Sequence, residues 1–186
     1  MTTKNTDLHY KEIVDKCKSI FLKKSKDYGT SWTILRLSSL TDQLFIKAKR
    51  IRNIEISNVN KVGDSIEDEF MSIINYCIMA MIKCEEVIEE EISLSNDRLQ
   101  MLYDKYYIAT FELMQKKNTD YGEVWRDMRV SSFTDLILTK LLRIKQIEDN
   151  MGKTEVSEGA FSNYQDIMNY SIFALIKLES DNLSSQ

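Results

Sequence analysis

"KKSKDYGTSWTILRLSSLTDQLFIKAKRI", Lys23–Ile51, returns as "KKNTDYGEVWRDMRVSSFTDLILTKLLRI", Lys116–Ile144, with 14 of 29 positions identical and no gap. The two Asp-Tyr-Gly-x-x-Trp units inside these stretches contain both tryptophans of the chain, Trp32 and Trp125. After a register shift of one residue the agreement resumes: "FMSIINYCIMAMIKCE", Phe70–Glu85, answers "YQDIMNYSIFALIKLE", Tyr164–Glu179. The chain is therefore an internal tandem repeat, and the repeat governs how every element is read.

Each repeat reads as three helices. The first spans roughly His9–Lys24, with Ile13, Cys17, Ile20 and Phe21 on one side, and its counterpart spans Asp97–Lys117. Asp-Tyr-Gly ends that helix, because glycine tolerates the positive φ of a helix C-terminus. A loop then carries Trp32 and Arg36, matched by Trp125 and Arg129. The second helix is expected to open at "SSLTD" and "SSFTD", with Ser39–Asp42 and Ser132–Asp135 as capping boxes. Its apolar stripe is Leu40, Leu44, Ile51 and Ile54, matched by Phe133, Ile137, Ile144 and Ile147. The third helix is apolar nearly all round and so belongs in the middle of a bundle. Bridges containing acids and glycine, "NKVGDSIEDE" and "GKTEVSEGAFSN", join the second helix to the third. "CEEVIEEEISLSNDR" reads as a solvated helix end and linker. The predicted fold is all-α: a helical bundle of two tandem three-helix repeats, 1–92 and 93–186, related by a pseudo-twofold within one compact domain.

The composition agrees with that fold and narrows the function. With 43% hydrophobic and 29% charged residues the chain suits a globular core, and the absence of proline leaves long helices uninterrupted. A net charge of −4 disfavours bulk nucleic-acid binding. Cys17, Cys77 and Cys84 sit in apolar helical patterns and read as reduced core thiols, which implies a cytoplasmic protein. The opening "MTTKNTDLHYKE" is polar, unlike a secretory signal, and no apolar run reaches membrane-spanning length. The only histidine, His9, precedes the repeat core, which argues against His-based triads and His-ligated zinc.

Several residues are not explained by packing. Lys47 and Lys140 interrupt the second helix's apolar stripe at its middle, and Arg50 and Arg143 follow one turn later. An ammonium on an inward face must meet an anion or reach water. Either these cations snorkel to water or pair with Asp42 or Asp27, or they face a phosphate or carboxylate ligand, together with Arg36 and Arg129. Asn75 and Asn169 sit in the central helices, where a buried amide either ties helices together or reads a base or ribose. Tyr28, Trp32, Tyr121 and Trp125 are core residues or a stacking platform for a nucleoside. Asp27 and Asp120 accept backbone hydrogen bonds in their loop or join a metal site. The bridge acids Asp64, Glu67 and Glu69, against Glu155, Glu158 and Asp166, lie near the start of the third helix, where they complement its dipole or hold Mg²⁺. The copies differ here: Ser72 stands opposite Asp166, and Asn163 opposite Glu69.

The assembled series, Asp-Tyr-Gly, Trp, Arg, Ser-x-Thr-Asp, Lys-x-x-Arg, Asn-Tyr, resembles the nucleotide modification associated domain 1 family over nearly the whole chain, twice. That family occurs in phages and bacteria, and the resemblance implies nucleotide metabolism without assigning catalytic residues. The chain is more loosely similar to the all-α nucleoside triphosphate pyrophosphohydrolases of the MazG and dimeric dUTPase type. These hold Mg²⁺ with paired Glu-x-x-Glu and Glu-x-x-Asp motifs. Here the Glu-x-x-Glu pairs are Glu155–Glu158 in a bridge and Glu86–Glu89 in the charge run. The expected function is a Mg²⁺-dependent hydrolase of deoxynucleoside triphosphates, with Asp42 and Asp135 assisting the metal and Lys47 and Lys140 neutralising phosphates. The alternatives are a non-catalytic module for a nucleotide or another small anion, and a structural or interaction protein. A homodimer remains open.

Overall fold

The computed structural model describes residues 3–61, 63–88, 93–156 and 158–184. Among these, the chain forms six α-helices and two 3-10 turns and no strand. The first repeat contributes α1 (Thr3–Tyr28), a 3-10 turn (Ser31–Ile34), α2 (Leu37–Ser57) and α3 (Ile66–Glu85). The second contributes α4 (Asn96–Tyr121), a turn (Val124–Asp127), α5 (Val130–Asp149) and α6 (Ala160–Ser184). Glu89 of the charge run lies outside the described residues.

The central helices behave as their sequence requires. α3 and α6 pack on each other, α2 and α5 flank them and touch, and α1 and α4 lie across α3 and α6. Phe70, Ile73, Ile74 and Ile78 of α3 are fully buried, as are Tyr164, Ile167, Met168 and Ile172 of α6. Each such Ile contributes about 1.5–3 kcal/mol by leaving water. The α2 stripe buries Leu40, Leu44 and Ile51 completely, while Ile54 is half-buried. Ile20, expected inside, is 37% exposed at the mouth of a cavity described below.

α1 and α4 run four residues beyond the expected Lys24 and Lys117, since nothing before Gly29 and Gly122 breaks them. Both glycines take positive φ, 69° and 67°. The capping boxes expected at Ser39–Asp42 and Ser132–Asp135 do not form. α2 and α5 are entered from extended Arg36 and Arg129 without a side-chain cap, and the Ser39 and Ser132 amides donate to those arginines' carbonyls at 3.0 Å. Both serines already lie within the first turn, too late to cap. A capping box does open α3, between Ser65 and Asp68.

Polar ties cross between repeats in matched pairs. Thr41 of α2 donates to Glu148 of α5 at 2.7 Å, and Thr134 of α5 donates to Glu55 of α2 at 2.9 Å. Asp42 pairs with Lys145 at 2.5 Å and Asp135 with Arg52 at 3.6 Å. The Tyr10 hydroxyl of α1 donates to Asn169 Oδ1 at 2.7 Å, while Tyr103 of α4 donates to Asn75 Oδ1 at 2.9 Å. These reciprocal contacts follow the predicted pseudo-twofold. The cysteines are free, and burial pushes the Cys17 thiol up to about 12 and the Cys84 thiol up to about 11.

Candidate functional site

Lys83 of α3 donates to the Thr33 carbonyl at 2.6 Å, and Lys177 of α6 donates to the Arg126 carbonyl at 2.5 Å. Each lysine thus pins the 3-10 turn carrying its repeat's tryptophan against the central helix. In the first repeat this leaves a cavity of about 220 Å³ between the end of α1 and α3. Its walls include Tyr28, Trp32, Ser72, Asn75, Tyr76 and Met79. Three of these, Tyr28, Trp32 and Asn75, are the nucleoside-binding candidates of that repeat. Tyr28 is 59% exposed at the mouth and Trp32 is buried against Phe21. The Asn75 amide is committed: its Nδ2 donates to the Cys17 carbonyl at 3.0 Å, and its Oδ1 accepts from Tyr103. Asn75 therefore shapes the wall as a helix tie, whereas Ser72 makes no hydrogen bond among the described residues.

A cation group adjoins this cavity. Lys47 Nζ lies 5.7 Å from the Tyr76 ring centroid, over the ring, and 3.4 Å from Glu69. Arg50 also contacts Glu69 and reaches Asp64 at 3.1 Å. The partner of Lys47 is thus Glu69, not Asp42 or Asp27: Asp42 is occupied with Lys145, and Asp27 makes no ion pair among the described residues. Glu69 is 5% exposed, so the two cations keep its charge tolerable at that depth.

The second repeat is built differently at the same place. Asp166, standing where the first repeat has Ser72, accepts from Lys140 at 2.6 Å and from Lys117 at 2.5 Å. Burial works to depress the Lys117 pKa, but the hydrogen bond and charge of Asp166, with Tyr170 and Glu158 nearby, together hold it above the ordinary lysine value. Phe173, in the place of Met79, stacks on Trp125 at 4.3 Å with ring planes 6° apart. The aromatic side is thereby filled. The bridge side holds a cleft of about 620 Å³ lined by Lys140, Arg143, Lys153, Glu155, Glu158 and Asn163.

The remaining candidates lie apart from both cavities. Asp42 and Asp135 are ion-paired between repeats. Arg36, Arg129, Asp27 and Asp120 are exposed, and none makes an ion pair among the described residues. Glu67 complements the first turn of α3, Tyr121 is 73% exposed, and Asn169 accepts from Tyr10. Among the described residues, no three His, Cys, Asp or Glu side chains converge to hold a metal ion. Ser72, Tyr76, Met79 and Lys117 were not among the sequence candidates. The Ser72/Asp166 difference was visible there, and the equally visible Met79/Phe173 exchange is the signal that separates the two cavities.

Fold and cavities together define a six-helix bundle of two fused repeats, with a cavity on the tryptophan side of the first and a cleft on the bridge side of the second. Residues 24–84 and 117–178 match nucleotide modification associated domain 1, and the chain belongs to that family, carrying its domain twice. No curated protein and no solved structure matches the chain.

Proposed function

We propose that the protein binds a nucleotide through its first repeat, with the base in the aromatic cavity and the phosphates toward Lys47 and Arg50. The observation that carries this reading is the shared residue: Tyr76 lines the cavity and also meets Lys47 over its ring. A cavity of about 220 Å³ is smaller than the roughly 300–1,000 Å³ of sites for whole drug-sized ligands, which suits a ring with its phosphates extending outside. Tyr28 and Trp32 offer stacking faces, worth about 1–3 kcal/mol per base. The unpaired Ser72 hydroxyl offers a hydrogen bond to the edge of the base. Membership of a nucleotide-modification-associated family points the same way.

Mg²⁺-dependent hydrolysis is the second reading, favoured by Asp64 and Glu69 meeting at Arg50. Mg²⁺ entering with a triphosphate uses one or two protein carboxylates and keeps several waters, so these two acids would suffice. Titration calorimetry with nucleoside mono- and triphosphates, with and without Mg²⁺, tests binding, and chromatography of the products tests turnover. Met79→Phe and Ser72→Asp install the second repeat's residues, and both are expected to abolish nucleotide binding while leaving the helical fold intact. Nucleotide affinity that is absent, or that survives Met79→Phe, would overturn the assignment.

A further inference from the structure

The bridge-side cleft of the second repeat shares no lining residue with the cavity of the first. Arg50 meets two carboxylates, Glu69 and Asp64. Its counterpart Arg143 meets none among the described residues, because Asn163 stands where the first repeat has Glu69. The Asn163 amide is buried and donates to the Gly159 carbonyl at 2.9 Å. Lys153, in the same cleft, likewise makes no ion pair among the described residues, and neither do Glu155 and Glu158. Lys140 is already neutralised by Asp166. Two cations and two carboxylates therefore line about 620 Å³ without neutralising one another.

Such a lining is poorly matched to a bare anion, which would meet as much repulsion as attraction. A polyphosphate carrying a divalent cation uses both kinds of group. Its oxygens take charge-assisted hydrogen bonds from Arg143 and Lys153, and its Mg²⁺, keeping most of its waters, meets Glu155 and Glu158. The stacking platform that the first repeat offers a nucleoside is missing here, since Phe173 covers Trp125 and Asp166 is clamped by two lysines. We infer that the second repeat binds a magnesium–pyrophosphate type of ligand lacking a nucleoside, held by Arg143, Lys153, Glu155 and Glu158.

Titration calorimetry of the full chain with inorganic pyrophosphate, in Mg²⁺ and in EDTA, tests this. Binding is expected in Mg²⁺ and lost in EDTA. Arg143→Met and Asn163→Glu should each weaken it by at least about tenfold, the loss expected of a charged hydrogen bond. Asn163→Glu restores the first repeat's own arrangement around its arginine, so it is expected to fold, with the melting temperature as the check. Met79→Phe in the other repeat should leave pyrophosphate binding unchanged. Absence of binding in Mg²⁺, equal binding in EDTA, affinity surviving both Arg143→Met and Asn163→Glu, or loss in Met79→Phe would each overturn the inference. The nucleotide reading of the first repeat stands or falls separately, on nucleotide affinity and its response to Met79→Phe.

Discussion

Lys47 and Lys140 occupy equivalent turns of α2 and α5 but are neutralised from different turns of the facing helix: Lys47 by Glu69 and Lys140 by Asp166. The two acids stand three residues apart in the aligned repeats. Glu69 draws in Arg50 and occupies the bridge side, leaving the tryptophan side open. Asp166 draws in Lys117 while Phe173 fills the tryptophan side, and the cleft lies on the bridge side. The placement of the carboxylate and the Met79/Phe173 exchange together accompany the change of side.

Asp166 is 6% exposed and holds two lysines. Replacing either Lys117 or Lys140 by Met leaves the other as partner, so each single change should cost little. The double variant strands a buried carboxylate and should lose about 3–5 kcal/mol in urea unfolding. Adding Asp166→Ser, the first repeat's solution, should recover most of that loss. Additive single and double losses would contradict this account.

Tyr103 is fully buried and is the hydroxyl donor to Asn75 Oδ1. Tyr103→Phe should cost about 1–3 kcal/mol of stability by leaving that acceptor unmet. Tyr10→Phe should cost a similar amount at Asn169. Denaturant midpoints unchanged in both variants would show that these ties are dispensable.

Burial raises the Glu148 pKa above the ordinary 4.5, despite the opposing hydrogen bonds from Thr41 and Tyr164. The folded state therefore favours protonated Glu148. That stabilisation is complete at pH below 4.5 and is lost as pH rises through the elevated folded value. Glu148→Gln keeps the group neutral, so the variant should melt above the parent at neutral pH and converge with it in acid. A gap that widens toward acid would give the opposite sign and refute the assignment.

The helices and their central pair were legible in the sequence, because duplication made each periodic pattern visible twice and few breakers interrupt it. The helix starts at Leu37 and Val130 were not. Ser39 and Asp42 carry the spacing of a capping box, yet the preceding tryptophan turn delivers extended backbone at Arg36 and fixes the start earlier. Lys47 was recognisable as an inward cation, but its partner was not, since Glu69 arrives from another helix across a bridge of uncertain register. Asn75 illustrates the limit most clearly. Its position announced a buried amide, but both its partners come from helices far away in sequence, Cys17 of α1 and Tyr103 of α4.

The exchange of hydroxyls between halves, Tyr10 to Asn169 and Tyr103 to Asn75, has a consequence for the lineage of this architecture. Each innermost amide oxygen takes its hydroxyl from the other repeat, so a half-length chain would need a second copy of itself to make the same tie. Two repeats on one chain need not mirror each other as identical copies must, and the two cavities differ accordingly.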